Sequence, residues 1–206
     1  MLVAAVETLS TTLEWAMSEL LRHPHAMKSL QEEIECIVGK HRQVIESDVV
    51  RMKYLHCVVK EMLRLYPAGP LGIPHESVEA VTAGGYHIPK KTMVMVNVWA
   101  IGRDPSVWGA DASEFKPERF MEEEHVNLAD QSDFRMIPFG AGRRGCPGAP
   151  MAIPTIELAL AQLMHIFDWT VEGDPSLLDM TELCGLTMPR QVPLCAYPGL
   201  MVGSAL

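Results

Sequence analysis

The stretch Phe139-Gly-Ala-Gly-Arg-Arg-Gly-Cys-Pro-Gly148 constrains this chain more than any other. It sets one cysteine among four glycines, two arginines and a proline, just ahead of an apolar run with helical spacing. Glycine at that density implies backbone in positive-φ conformations, or backbone pressed against a neighbour. Cys146, beside Arg144 and just before a helix N-terminus, is a thiolate candidate, because both positive charges favour anionic sulfur. Gly140, Gly142 and Gly145 are expected to turn backbone N–H groups toward that sulfur. Gly148 is expected to let a flat ligand approach the helix start. The competing reading is an inert, buried cysteine in a glycine loop.

The 206 residues suffice for one sizeable core or two small ones. A net charge of -9 argues against a nucleic-acid partner. Cys36, Cys57, Cys146, Cys184 and Cys195 include no Cys-x-x-Cys pair, so neither a disulfide framework nor a zinc ribbon is indicated. No uninterrupted apolar run reaches the roughly 18 residues needed to cross a bilayer, and no signal-peptide pattern opens the chain. Leu2, Val6, Leu9, Leu13, Met17 and Leu20 keep helical spacing from the outset without an N-cap. Met1 is therefore expected to be internal to a longer chain.

Helices are expected over 1–22, 24–38 and 53–66, halted by Pro24, Gly39 and Pro67. Ser47 and Asp48 are expected to cap a short turn between the last two. Residues 77–101 read as short strands around Gly84–Gly85. Residues 103–145 are rich in turn signals, and irregular segments that long are usually functional. A further helix spans 151–169, where Pro154 should introduce a kink, and short strands fill 167–198. The expected class is mainly α with small β-sheets (α+β). The chain divides into helices (1–66), a small β region (67–102), an irregular segment with the cysteine loop (103–147), and the following helix with terminal strands (148–206).

A soft thiolate with no second cysteine nearby in sequence does not build a tetrahedral zinc site. It suits a single axial bond to haem iron. Phe139, Gly142, Arg144, Cys146 and Gly148 follow Phe-x-x-Gly-x-Arg-x-Cys-x-Gly, which resembles the haem-binding signature of the cytochrome P450 family. Five such identities arise by chance at on the order of one start position in 10⁷. Other segments resemble the family in the same order. Glu61-x-x-Arg64 resembles its helix motif, the two residues sharing a helix face. The resemblance makes Arg119, in "FKPERF", the third member of a charge network holding the irregular segment. A second copy, Glu19-x-x-Arg22, reads as a solvated surface pair. "AAVET", residues 4–8, resembles the family's oxygen-activation motif, with Ala5 in place of the usual glycine. That implies proton handling by Glu7 and Thr8. His75 and Arg144 resemble the residues that meet the haem propionates. Ala4, Ala5, Leu71, Gly72, Ile73, Leu186 and Thr187 are candidate substrate-cavity positions, small or apolar, which favours a hydrophobic substrate.

The resemblance spans nearly the whole chain and covers the C-terminal portion of the family, from midway along the oxygen-binding helix onward. The surrounding segments resemble plant microsomal members. The implied activity is haem-dependent monooxygenation: one atom of O₂ enters an organic substrate and the other leaves as water. Electrons would come from an NADPH-cytochrome reductase, to which Arg135, Arg143 and Arg144 would present a basic face. The full-length parent is expected on the cytosolic face of the endoplasmic reticulum membrane, held by an N-terminal anchor outside this chain. The 206 residues alone are expected to be inactive, with the apolar faces of 1–22 and 53–66 uncovered. The alternatives are a haem-thiolate isomerase or dehydratase that does not use O₂, against which Thr8 speaks, and a truncated non-catalytic product. His23 and His25 do not share a helix face and make no metal pair. "MEEEH", residues 121–125, reads as a solvated acidic turn, and the four remaining cysteines as core or partly exposed thiols.

Overall fold

The spacing of Leu9, Leu13, Met17 and Leu20 is realised as α1 (Leu2–Arg22), the first helix of a computed structural model that describes residues 2–122, 126, 128 and 133–201. Pro24 opens α2 (Pro24–Val38), where its missing N–H costs nothing because the first helical N–H lacks an intrahelical partner. Gly39, at φ 75°, stops α2. A single turn, α3 (Glu46–Val49), precedes α4 (Lys53–Leu65), which ends at Tyr66 ahead of Pro67. Short elements follow: β1 (His75–Glu76), β2 (Val81–Ala83), β3 (Tyr86–Ile88), β4 (Met93–Val94), α5 (Val98–Ile101), α6 (Pro105–Trp108) and α7 (Arg119–Glu122). After the cysteine loop, α8 (Ala149–Ile166) runs directly into β5 (Phe167–Thr170), which pairs with β6 (Tyr197–Leu200). β1 pairs with β4, and β2 with β3 across Gly84–Gly85, all antiparallel. This is the helix-rich α+β class expected.

Several local expectations change. Val98–Ile101 is helical rather than extended, because the Asn97 side chain accepts the Ala100 N–H at 2.9 Å and starts a turn. Phe167–Trp169 leave the helix for a strand, because β6 offers them a backbone partner. Ser47 and Asp48 lie inside α3, and of the two Asp48 caps it, from the third helical position. The Asp48 carboxylate accepts the Ile45 N–H at 3.1 Å and holds Arg51 at 2.8 Å. The hydrogen bond from Arg42 and those from Ile45 and Arg51 keep that carboxyl well below the usual range, although desolvation opposes them. Pro154 falls in the second turn of α8, and the helix continues through it.

The core forms where α1, α2, α3 and α4 all pack on α8. Trp15, Leu20, Leu30, Ile34, Leu55, Val58, Leu160 and Met164 are fully buried there, each contributing about 1.5–3 kcal/mol through removal from water. The apolar face of 53–66 and the second half of 1–22 are therefore covered, contrary to expectation; the exposed Val6 marks the uncovered start of α1. Among the described residues, α8 is the one helix long and apolar enough to cross a membrane, with mean hydropathy 1.2 over 18 residues. Its four helical neighbours and the Glu157–His56 ion pair at 2.7 Å make it the central core helix.

The Glu19–Arg22 pair is not a solvated surface pair: Arg22 is half-buried and Glu19 buried. Glu19 is 2% exposed and accepts the Tyr66 hydroxyl at 2.5 Å, with Arg22 at 3.3 Å and His23 at 3.1 Å. Trp15 stacks on Tyr66 with centroids 4.2 Å apart, so α1 and the end of α4 close water out. Burial alone would raise the Glu19 carboxyl. The hydrogen bonds from His23 and Tyr66, with Arg22's charge, outweigh it and leave Glu19 lowered.

His23 and His56 are both raised above the ordinary histidine value, chiefly by hydrogen bonds to Glu19 and Glu157. A raised folded-state pKa stabilises fully below the unfolded value of about 6.5, and that contribution is lost as pH rises through the folded value. The thermal midpoint should therefore fall as pH climbs above about 6.5. His56→Gln should flatten the part of that fall owed to the α4–α8 contact. Melting curves across pH check this; an unchanged slope in the variant would speak against the ion pair.

Candidate functional site

The chain reaches Cys146 through a closed loop. Phe139 packs on the core, and its carbonyl accepts the Cys146 N–H at 2.8 Å. Between them Gly140 and Gly142 both stand at φ 70°, where any other side chain is strained. Gly142–Arg144 form one 3₁₀ turn. Two of the three expected N–H donors turn away from the sulfur. Gly140 donates to the Ile137 carbonyl and Gly145 to the Gly142 carbonyl, because so tight a loop must satisfy its own backbone. Cys146 is free and exposed, which removes the reading of an inert buried thiol. A Cβ on Gly148 would lie 3.7 Å from Cys146 Sγ, so glycine there keeps one side of the sulfur open.

Glu61 and Arg64 form the most buried ion pair, both side chains 0% exposed, with two bonds of 2.7 Å. The Arg64 guanidinium also donates to the carbonyls of Gly102 (2.6 Å), Ala112 and Glu114, and lies over the Trp108 ring. Glu61 in turn accepts the Lys116 N–H at 2.9 Å. Gly102 permits this approach, since a Cβ there would fall 2.1 Å from the Arg64 carbonyl oxygen. Arg119 stands 3.6 Å from Glu61, beyond hydrogen-bond reach; its donors go to Trp108 (2.8 Å) and Asp111 (3.1 Å). The three residues meet, and what they bind is the backbone of 102–116.

At the open start of α1, Thr8 donates to the Ala4 carbonyl at 2.7 Å, not to Glu7. Glu7 is exposed and accepts the Thr187 hydroxyl at 2.6 Å. Met188 N–H bonds the Ala68 carbonyl at 3.0 Å, so the 186–188 turn joins the loop 68–73. Of the candidate cavity positions, Ala4, Leu71, Ile73 and Leu186 are exposed, and Ala5, Gly72 and Thr187 are half-buried. His75 sits exposed in β1 opposite Val94, and Arg144 exposed in the 3₁₀ turn; among the described residues neither is bonded to Cys146. Arg143 is exposed, whereas Arg135 is paired with Asp133 at 2.8 Å and contributes less free charge to a basic face than expected. Cys57 is buried, and Cys36, Cys184 and Cys195 are exposed. Residues 123–125 of the acidic turn lie outside the described residues.

A family model described as Cytochrome P450 matches residues 1–195. The chain belongs to the cytochrome P450 family. Cytochrome P450 750A1 of Pinus taeda is 70% identical over 200 residues, covering 96% of this chain and 38% of that protein. Cytochrome P450 CYP736A12 of Panax ginseng is 50% identical, covering 95% and 39%. Geraniol 8-hydroxylase of Catharanthus roseus is 48% identical, covering 97% and 40%. The chain thus spans about two fifths of the length of these curated plant relatives.

Two supports of this P450 chain were not read from its sequence. Glu33 on α2 accepts the N–H groups of Tyr54 (2.8 Å) and Leu55 (3.0 Å), capping α4 from another helix. Arg190 lies over Trp15, whose indole N–H meets the Met188 carbonyl at 2.9 Å. Local patterns carry no mark of either, since each partner is distant in sequence.

Removing one member of the Glu61–Arg64 pair leaves an uncompensated buried charge. Arg64→Ala and Glu61→Ala should each destabilise by about 3–5 kcal/mol. The double variant should lose clearly less than the sum. Urea unfolding checks this, and strict additivity would deny the coupling.

Proposed function

We propose that this P450 chain carries the thiolate side of a haem-dependent monooxygenase acting on a hydrophobic organic substrate. The overall reaction is RH + O₂ + NADPH + H⁺ → ROH + H₂O + NADP⁺, with electrons delivered through an NADPH-dependent reductase. The supporting observation is the free, exposed Cys146 on its glycine-closed loop. Among the described residues no three His, Cys, Asp or Glu side chains gather to cage a metal. A lone soft donor needs a metal that brings its other ligands with it, and the donor set therefore fits haem. Held through the Cys146 sulfur, haem would supply O₂ activation, which thiolate donation favours.

In this reading Cys146 Sγ holds the iron. Arg144 and His75 hold the propionates through charge-assisted bonds. Phe139, Gly142 and Gly148 shape the loop beside the ring. Glu7 exchanges protons with solvent, and the Thr8 hydroxyl oxygen, while donating to Ala4, still accepts one. Arg143 and Arg144 form the basic face for the reductase, with Arg135 partly neutralised. Geraniol 8-hydroxylase among the relatives supports hydroxylation of an apolar plant metabolite. The resemblance to plant microsomal members supports the endoplasmic reticulum membrane for the full-length parent, reached through a segment outside these 206 residues. The 206 residues by themselves are inactive in this reading, because Cys146, Leu71, Ile73 and Leu186 stand open to water.

In a full-length protein carrying this sequence, Cys146→Ser should abolish the thiolate-type band of the reduced CO-difference spectrum, serine being a poor soft ligand. Persistence of that band would remove Cys146 from its role. Thr8→Ala should keep the band but lower product formed per NADPH by about tenfold or more. Equal coupling in variant and wild type would reduce "AAVET" to ordinary helix.

A further inference from the structure

We propose that Thr187 is a positioning residue for Glu7, linking a substrate-facing turn to the proton-handling carboxylate; this rests on the monooxygenase reading above. Thr187 Oγ1 donates to Glu7 Oε1 at 2.6 Å. Among the described residues it is the one hydrogen bond that a side chain of residues 4–8 makes outside its own helix.

The turn is built to deliver that hydroxyl. Leu183 N–H bonds the Pro189 carbonyl at 2.9 Å, and Gln191 N–H bonds that of Thr181 at 2.8 Å, closing its base. Gly185 lets the tip fold back, since a Cβ there would fall 3.0 Å from the Thr187 carbonyl oxygen. α1 grips the base: Trp15 bonds the Met188 carbonyl at 2.9 Å, Arg190 bonds Ser18, and Glu14 accepts the Leu194 N–H at 2.7 Å. Glu7, Glu14 and Ser18 fall along one helical face, so Thr187 is the last rung of a continuous docking line. Leu186, beside it, is 64% exposed, and its carbonyl would lie 3.9 Å from a Cβ on Gly69 in the loop 68–73. An apolar substrate pressing on Leu186 therefore bears on the hydroxyl that holds Glu7. The bond also selects one carboxylate oxygen, leaving Oε2 to exchange protons with solvent.

Both residues lie at the surface, so their variants should fold. The test uses a full-length protein carrying this sequence and two readouts. In resting protein, amide hydrogen exchange of residues 185–188 should quicken about three- to tenfold in Thr187→Val and in Glu7→Leu, as loss of one hydrogen bond predicts. It should stay near wild type in Thr187→Ser and Glu7→Gln, which keep donor and acceptor. During turnover, Thr187→Val should lower product per NADPH about threefold or more, and Thr187→Ser should restore it. Unchanged exchange in Thr187→Val overturns the link itself. Quickened exchange with unchanged coupling overturns the positioning role. A wild-type protein that makes no coupled product overturns the functional reading and the catalytic half of this inference, while the exchange arm still decides the Thr187–Glu7 bond.

Discussion

The Glu61–Arg64 ion pair is the interaction on which the irregular half of the molecule depends. Residues 102–119 have little regular structure to satisfy their backbone, and buried carbonyls without partners are costly. Two guanidiniums take the place of a sheet. Arg64 serves the carbonyls of Gly102, Ala112 and Glu114, and Arg119 serves those of Trp108 and Asp111. Glu61 compensates the charge this requires and uses its remaining capacity on Lys116 N–H. A neutral core could not hold that segment, because an apolar side chain accepts and donates nothing.

A second assembly ties α1 to the rest. Arg190 lies over Trp15, Trp15 stacks on Tyr66, and Arg103 lies over both Tyr66 and Trp99. The ladder joins α1, the end of α4, α5 and the C-terminal turn, with Glu19 buried beneath Tyr66. Planar guanidiniums and rings stack at low entropic cost. Firm packing ends there. Beyond it, Val6, Glu7, Leu71, Ile73 and Leu186 stand exposed, where the proposed chemistry needs access. The same division holds at the cysteine loop, where Phe139 is anchored in the core and Cys146 faces solvent.

Much of this was legible in the sequence. Helices α1, α2 and α4 end at Pro24, Gly39 and Pro67 because proline and glycine act through their own covalent geometry, which no tertiary contact alters. The spacing of Phe139, Gly142, Arg144, Cys146 and Gly148 pointed to the family that the comparison found along the chain. The failures share a cause. Glu19-x-x-Arg22 and Glu61-x-x-Arg64 are the same local pattern, and the carboxylate is buried in both, because Tyr66 and Trp15 cover Glu19 from other parts of the chain. Phe167–Trp169 continued an apolar helical run until β6 offered hydrogen bonds.

The sequence by itself determined the helix limits, the α+β class, the family and the cysteine at the centre of its loop, since each is written in neighbouring residues. Only the tertiary structure decided which carboxylates are buried, where Arg119 spends its donors, that Glu33 caps a helix it does not belong to, and that Glu7 is held by Thr187. Those depend on which distant surfaces exclude water and which groups then must find partners, and neither is encoded in any local stretch.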